Sequence, residues 1–190
     1  RFTPMQSTFG ANMLALNGGR PEQLTLRDFL TYFIAFREEV VARRTAFELR
    51  KARERSHILC GLAVAVSNVD EVVATIRASR DAAEARDRLM ERRWPAHEIL
   101  EYLKLIDDPL HPVNDDGTYN LSDTQARAIL DLRLQRLTQL GVQEVTNELQ
   151  SLADAIRDYL AILASRQRVL GIISDELREV KELFAVSRRT

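Results

Sequence analysis

The chain has 190 residues, of which 45% are hydrophobic, and a formal net charge of −1 at pH 7. A balance this close to neutral excludes a bulk field that would recruit nucleic acid or an anionic membrane. The single cysteine, Cys60, excludes an internal disulfide, and no apolar run reaches the roughly 18 residues of a membrane span. With seven glycines, five prolines and few β-branched runs, the sequence predicts an almost entirely α-helical protein.

Residues 1–25 are predicted to form an irregular segment, with a turn at LNGGRP (residues 16–21). This segment opens without a methionine and without a helix start, and the chain stops on the basic stretch VSRRT. We therefore expect a piece of a longer protein, cut from an upstream domain.

A long helix is predicted from Leu26 to about Val66, because this stretch has no proline and only one glycine, Gly61. Thr25 and Asp28 form a T-x-x-D start, a relative of the capping box. At 1.5 Å per residue the helix is about 60 Å long. Its apolar residues flank a charged middle, RRTAFELRKARERS.

A second long helix is predicted over residues 143–184, where apolar residues recur in alternating steps of four and three. The seam consists of Val145, Leu149, Leu152, Ile156, Tyr159, Leu163, Arg166, Leu170, Ile173, Leu177, Val180 and Phe184. Residues 26–66 carry a charge of +3 and residues 143–184 one of −3. We predict that residues 26–68 and 143–186 form a long antiparallel two-helix coiled-coil stalk.

The intervening residues 69–142 are predicted to form a small helical domain at the tip of the stalk. Short helices are expected at 69–78, 81–92 and 95–106, with Pro95 in the first turn of the third, followed by a turn-rich loop at 107–120. A lone core of about 70 residues is marginal, and oligomerisation often stabilises such small domains. The predicted fold is therefore all-α, a stalk with a tip that dimerises.

The last helix of the tip, SDTQARAILDLRLQRLTQL at residues 122–140, begins with a capping-box pattern at Ser122 and Gln125. At about 100° per residue most of its apolar residues share one arc, but Leu132 falls on the polar side and Arg133 inside the arc. A helix that contacts both its own core and a partner explains both exceptions. The candidate residues of a dimer interface are Leu130, Leu132, Arg133, Leu134 and Leu137.

Two alternatives stay open at this point. In the first, Arg133 extends to water along its own stem and Leu132 is an ordinary exposed leucine. The second concerns a basic run in the first long helix, which could contact phosphates and line a DNA cavity or could be a solvated face paired with the acidic second helix. The residues of this run are Arg43, Arg44, Arg50 and Lys51.

No catalytic, cofactor-binding or metal-binding residue is predicted. The three histidines, His57, His97 and His111, have no metal-ligand spacing among themselves or with Cys60. The sequence contains no G-x-x-x-x-G-K-[ST] phosphate loop. A free-standing helical enzyme would need convergent polar residues on facing helices, and the heptad seam offers only Arg166.

Three stretches closely resemble the A subunit of bacterial DNA gyrase, a type IIA topoisomerase: TFGANMLALNGGRP, then LRDFLTYFIAFREEVVARRTAFELRKARERSHILCGLAVAVSNVDEVVATIRAS, then LSDTQARAILDLRLQRLTQL. The resemblance covers nearly the whole chain and is strongest over residues 8–79 and 121–140. Residues 80–120 match poorly, as a variable insertion would. The A subunit of topoisomerase IV is a weaker match.

The resemblance implies a fragment of an ATP-dependent enzyme that introduces negative supercoils by double-strand passage. In that family the stalk and tip form the exit gate, where two copies meet tip to tip and release the transported DNA. The implied partners are a second copy, the B subunit of gyrase in an A2B2 complex and, transiently, duplex DNA, in the cytoplasm and without a membrane. Mg²⁺ and ATP belong to the B subunit, so no cofactor is expected in this chain.

The nucleophilic tyrosine of the family lies next to an arginine, and this sequence has no Arg-Tyr pair. The resemblance therefore implies that the fragment is inactive alone. Two alternatives remain. One is the exit gate of the topoisomerase IV A subunit. The other is a purely structural coiled-coil dimerisation module, which explains the architecture but not the match at FELRKARERSHIL.

Overall fold

The computed structural model describes residues 8–106, 111–132 and 139–187. The described chain is predominantly α-helical with two small antiparallel sheets, which confirms the predicted all-α class. The longest helix has 42 residues, a length that fits a coiled-coil stalk. The chain divides into two compact units, Arg1–Arg44 with Ser165–Thr190 and Thr45–Ala164. The predicted domain boundaries remain a prediction.

The first unit opens with a β-hairpin rather than the irregular segment predicted from the sequence. Strand β1 (Leu14–Asn17) pairs antiparallel with β2 (Arg20–Gln23). Gly18 and Gly19 close the predicted turn with φ angles of 56° and 82°. Two consecutive positive φ angles match the twist of a two-residue hairpin turn, which is why this turn carries two glycines.

Helix α1 (Leu26–Ser67) begins as the T-x-x-D pattern predicts. The Thr25 hydroxyl and backbone N–H both donate to the Asp28 carboxylate, at 2.6 and 3.0 Å. The Asp28 N–H donates in return to the Thr25 hydroxyl at 3.3 Å. These bonds, the Thr25 hydroxyl above all, hold the pKa of Asp28 below its ordinary value.

The predicted second long helix is two helices, α6 (Gln139–Ala164) in the second unit and α7 (Arg166–Phe184) in the first. Between them Ser165 is extended, with φ −131° and ψ 107°, and its hydroxyl accepts a hydrogen bond from the N–H of Arg168. The helical conformation is therefore interrupted at Ser165. In α7 the buried residues are Val169 and Ile173, whereas Leu170 of the predicted seam is exposed.

In the first unit α1 and α7 are joined by ion pairs. The Arg166 guanidinium binds both carboxylate oxygens of Glu38, at 2.8 and 2.9 Å. Glu176 pairs with Arg44 at 2.6 Å and also with Arg37. Arg166, the one polar residue of the predicted seam, is thus an exposed partner of α1 rather than a buried residue.

The second unit adds the short elements of the predicted tip. They are α2 (Val69–Arg77), α3 (Ala82–Glu91), β3 (Arg93–Pro95), a 3-10 turn (His97–Ile99), α4 (Leu100–Ile106), β4 (Thr118–Asn120) and α5 (Asp123–Leu130). Pro95 lies in β3, not in a helical first turn, because β3 pairs antiparallel with β4. Trp94 and Tyr119, opposite each other in this sheet, are both fully buried.

The core of the second unit lies between the C-terminal half of α1 and the short elements. Its completely buried members include Leu59, Leu89, Trp94 and Tyr119. The Trp94 indole N–H donates to the Leu89 carbonyl oxygen at 2.9 Å, so the polar group of this buried side chain is satisfied. The N-terminal half of α6 packs on the same core through Val145 and Leu149.

Candidate dimer interface

A mostly apolar groove of about 280 Å³ lies between α2, α5 and the C-terminal end of α1. Its floor is buried, and its walls are partly exposed branched side chains from α2 and α5. The lining residues are Ala65, Val69, Val72, Val73, Ile76, Arg77, Ile129, Leu130 and Leu132. A concave apolar surface of this kind is suited to receive an apolar partner.

Helix α5, one wall of this groove, is fixed at its N-terminus by the predicted capping box. The Ser122 hydroxyl accepts from the Gln125 N–H, and the Gln125 side-chain oxygen accepts from the Ser122 N–H at 2.9 Å. The same Gln125 donates its amide to the carbonyl oxygen of His57 on α1 at 2.7 Å. A hydrogen bond of 2.8 Å also joins the His57 ring to the Ser122 hydroxyl.

Gly61 of α1 lets α5 approach this closely. The Gln125 side chain is completely buried and lies where a β-carbon on Gly61 would stand, 2.6 Å from Gln125 Cβ. Gly61 therefore has a packing role, because only a residue without a side chain leaves room for Gln125.

Helix α5 ends at Leu130, ten residues before the predicted end, with Asp131 as its C-cap. Leu132 therefore does not occupy the polar side of a longer helix. It is partly buried, packs against the core of the second unit together with Leu130, and lines the groove. The structure thus places Leu132 partly buried at the groove, and its role in a dimer interface stays a prediction.

Of the five candidate interface residues, the structure brings Leu130 and Leu132 together at the groove. Arg133, Leu134 and Leu137 lie outside the described residues. The residues of α2 were missed by the sequence reasoning, although a signal was present. Val69, Val72, Val73 and Ile76 follow the i, i+3, i+4, i+7 spacing that places apolar residues on one face of a helix.

Two charged residues form no ion pair within the described part of the chain: Arg77, which lines the groove at the end of α2, and Asp131, which lies in the sequence between the groove residues Leu130 and Leu132. Both are exposed. Neighbouring charges are satisfied within the unit, since Arg92 pairs with Glu71 and Arg127 with Asp123.

The basic run of α1 consists of side chains that already have acidic neighbours. Arg43 pairs with Glu39, and Arg44 with Glu176 of α7. Arg50 and Lys51 both approach Glu54, at 4.0 and 2.8 Å. All four are exposed, so solvent screens these pairs and each contributes little to stability. The arrangement resembles a solvated, charge-paired face more than a phosphate-binding surface.

The reactive groups of the described residues do not assemble into a catalytic site. Cys60 is completely buried, and burial raises the pKa of its thiol to about 12. Among the described residues no group of three His, Cys, Asp or Glu side chains could hold a metal ion. Within the same residues no single helix is long and apolar enough to cross a membrane; α1 and α2 meet that requirement only as a pair bent by 90°.

Comparison with known proteins agrees with the sequence motifs. The family model for the A subunit of DNA gyrase and topoisomerase IV matches residues 1–178. The DNA gyrase A subunit of Granulibacter bethesdensis is 47% identical over 190 residues, covering all of this chain and 20% of that protein. The gyrase A subunits of Rickettsia conorii and Haemophilus influenzae are 45% and 44% identical over 99% of this chain, covering 21% and 22% of those proteins.

These matches define the class: the chain belongs to the family of DNA gyrase and topoisomerase IV A subunits. The resemblance to the gyrase A subunit, inferred from the sequence motifs, is confirmed by relatives that carry that name. The chain spans about a fifth of the length of the curated relatives that it matches.

Proposed function

We propose that this chain is the dimerisation and exit-gate part of a type IIA topoisomerase A subunit. Two copies join through the groove between α2 and α5 and separate to release the transported DNA segment. The observation that carries the proposal is the apolar groove, lined by two leucines of the candidate interface, in a member of a family of topoisomerase subunits.

A two-fold contact suits this groove because such a contact uses the same surface on both copies. The groove offers partly exposed leucine and valine side chains as well as a concave space, so one copy can supply the side chains that fill the other. A contact confined to this groove would be small beside a permanent dimer interface. A small contact favours opening and closing, which is what a gate requires.

The complete enzyme, on this proposal, introduces negative supercoils by passing one DNA duplex through an ATP-dependent double-strand break in another. It acts in the cytoplasm as an A2B2 complex. The described residues do not fit a Mg²⁺ or ATP site, because they provide no carboxylate cluster and the sequence has no phosphate loop. We therefore assign both cofactors to the B subunit.

The chain alone is expected to lack DNA cleavage, relaxation and ATPase activity. Its four tyrosines, Tyr32, Tyr102, Tyr119 and Tyr159, follow threonine, glutamate or aspartate and never arginine. Cleavage of supercoiled plasmid by the purified chain would contradict this assignment.

Sedimentation equilibrium tests the proposed dimer. We expect the wild-type chain to be dimeric at tens of micromolar and Leu132→Glu to be monomeric, because the substitution places a charge in the contact. Leu160→Glu is the matched control, since Leu160 lies on α6, is 37% exposed and does not line the groove. A monomeric wild type rejects the dimer. If Leu132→Glu is still dimeric and its melting temperature is unchanged, the two copies must meet through another surface.

A reversible cross-link in the full-length protein, assembled into the A2B2 complex, tests the gate itself. Leu132→Cys in a Cys60→Ala background allows a short bis-maleimide with a cleavable spacer to join the two copies. We expect cross-linking to abolish multiple-turnover supercoiling and cleavage of the spacer to restore it. Supercoiling that continues at full rate in cross-linked enzyme would show that the contact does not open during the cycle.

The matching family also includes the topoisomerase IV A subunit, so the exit gate of that enzyme is the second candidate function. The reaction product of the reconstituted enzyme separates the two. Net negative supercoiling of relaxed plasmid indicates the gyrase reaction, whereas decatenation without supercoiling indicates the other.

A further inference from the structure

We infer that Arg77 and Asp131 form a reciprocal pair between two copies of this chain, Arg77 of each copy binding Asp131 of the other. The inference rests on the proposed dimer and names the residues that set its register and its preference for self. It starts from two charged residues, Arg77 and Asp131, that have no ion-pair partner among the described residues of one copy.

Most described arginines of the second unit that follow α1 have a carboxylate partner within that unit. Arg88 pairs with Glu84 at 2.7 Å, and Arg86 with Asp87 at 2.9 Å. Arg77 differs, because within the described residues it forms no ion pair although it lines an apolar groove. An arginine that keeps its guanidinium unpaired beside an apolar surface is ready to bind a planar carboxylate.

Asp131, which lies in the sequence between two residues of the opposite wall, can supply that carboxylate. Its backbone N–H is used, since it closes α5 by donating to the Arg127 carbonyl oxygen at 2.9 Å. Its side chain forms no ion pair with any described residue and is exposed. Leu130 and Leu132 lie on either side of it in the sequence and both enter the groove wall. A partner that covers both leucines therefore also comes close to Asp131.

Two-fold symmetry turns these two residues into two ion pairs. In an isologous contact residue i of one copy meets residue j of the other, and residue j of the first copy meets residue i of the second. One unpaired cation and one unpaired anion on each copy are therefore sufficient to form two ion pairs. The apolar groove provides the affinity. The charges mainly fix orientation and exclude partners with like charges at these positions.

Charge reversal makes the inference testable with two variants of the full 190-residue chain. In the Arg77→Glu homodimer two glutamates face two aspartates, and in the Asp131→Arg homodimer two arginines face two arginines. Both are expected to weaken self-association by more than about tenfold, because like charges at an interface repel each other. Mixing the two variants restores attraction at both positions, so the mixture should form a heterodimer close to wild-type affinity.

Native mass spectrometry with one variant carrying a mass tag measures homodimer and heterodimer together. Arg178→Glu is the control, because it reverses an exposed arginine of α7 whose partner, Asp175, lies in the same helix. Circular dichroism melting checks that each variant is folded. If a reversed variant is unfolded, Arg77→Gln and Asp131→Asn replace the pair, and each should weaken the dimer without changing the melting temperature of the monomer.

The outcomes separate this inference from the proposed function. A wild-type monomer at tens of micromolar overturns both. A wild-type dimer whose reversed variants self-associate normally, or whose folded variants form no heterodimer, overturns the pairing and leaves the dimer intact. Selective heterodimer formation supports the pairing.

Discussion

Gly61 of α1 and Gln125 of α5 lie so close that a β-carbon on Gly61 would come within 2.6 Å of two carbons of the Gln125 side chain. Gln125 is held there by its bonds to Ser122 and to the His57 carbonyl oxygen, so it has little freedom to move away. This contact determines how near α5, and with it one wall of the groove, lies to α1.

Gly61→Ala should therefore destabilise the protein. Alanine favours a helix by about 1 kcal/mol over glycine, but overpacking against a fixed side chain costs about 1–3 kcal/mol, so we expect a net loss. Gly171→Ala is the matched control, because Gly171 lies inside α7 with nothing within 4 Å of the added carbon. Urea unfolding of both variants should give shifts of opposite sign. Stabilisation by both would show that Gln125 moves aside freely.

Ile156 and Leu163 belong to the same predicted heptad seam, but the structure buries only the first. Ile156 is completely buried with Leu49 and Ala52 of α1, whereas Leu163 is 39% exposed. Ile156→Ala should lower the free energy of unfolding by about 2–5 kcal/mol, and Leu163→Ala by less than about 1 kcal/mol. Thermal and urea unfolding measure both values. Equal losses would mean that the heptad seam continues through Leu163.

The Cys60 thiol should resist thiol reagents in the folded protein. Burial raises its pKa to about 12, so at pH 8 only about one thiol in ten thousand is ionised. Labelling with a chromogenic disulfide should be negligible until denaturant unfolds the second unit, and then complete. The single tryptophan, Trp94, reports the same unfolding by fluorescence. Rapid labelling of protein whose Trp94 fluorescence is native would contradict the burial of Cys60.

Alkaline pH should destabilise the protein through the same thiol. The folded pKa of about 12 lies above the ordinary value of 9.0, so the unfolded chain loses its proton first as pH rises. The contribution of Cys60 to stability is complete below pH 9 and is lost as pH rises from 9 toward 12. Between these limits the free energy of unfolding of wild type should fall more steeply than that of Cys60→Ala. If the free energy of unfolding falls equally with pH in wild type and in Cys60→Ala, the thiol is already ionised in the folded state.

Binding of the isolated chain to duplex DNA should be weak and sensitive to salt. Arg44 is held by Glu176, and Arg43 by Glu39, so a phosphate would have to displace a carboxylate at each position. Fluorescence anisotropy with a labelled duplex should give a dissociation constant well above about 1 µM at physiological salt, in the non-specific range. Submicromolar binding that is lost on Arg43→Glu would establish the basic run as a DNA contact.

The sequence predicted where α1 and α5 begin, but it did not predict the groove between α2 and α5. The caps at Thr25 and Ser122 involve residues three apart, so the local pattern contains the whole interaction. The groove combines α2 with α5, whose residues are more than 40 positions apart, and no local pattern states that they meet. The lack of an ion pair at Arg77 and at Asp131 among the described residues depends on that meeting and was therefore missed.

Strand β3 was missed for a related reason. The three residues of Arg93–Pro95 show no period of their own, and their conformation is set by pairing with Thr118–Asn120 and by burial of Trp94. The position of Leu132 was wrong because a constant 100° per residue holds only inside a helix, and α5 ends at Leu130. Angular arguments thus fail wherever tertiary contacts end a helix early.

Ser165 gives α7 a start of its own, with a hydroxyl that satisfies the N–H of Arg168. A helix with a capped start can lose its hydrogen bonds without unwinding the helix before it in the chain, so opening can remain local. Amide protons of α7 should then exchange with solvent in a separate, lower-energy step from those of α6, whose Leu149 and Ile156 are buried. A serine in the middle of an apparently continuous heptad thus divides one helical segment into two cooperative units of different stability.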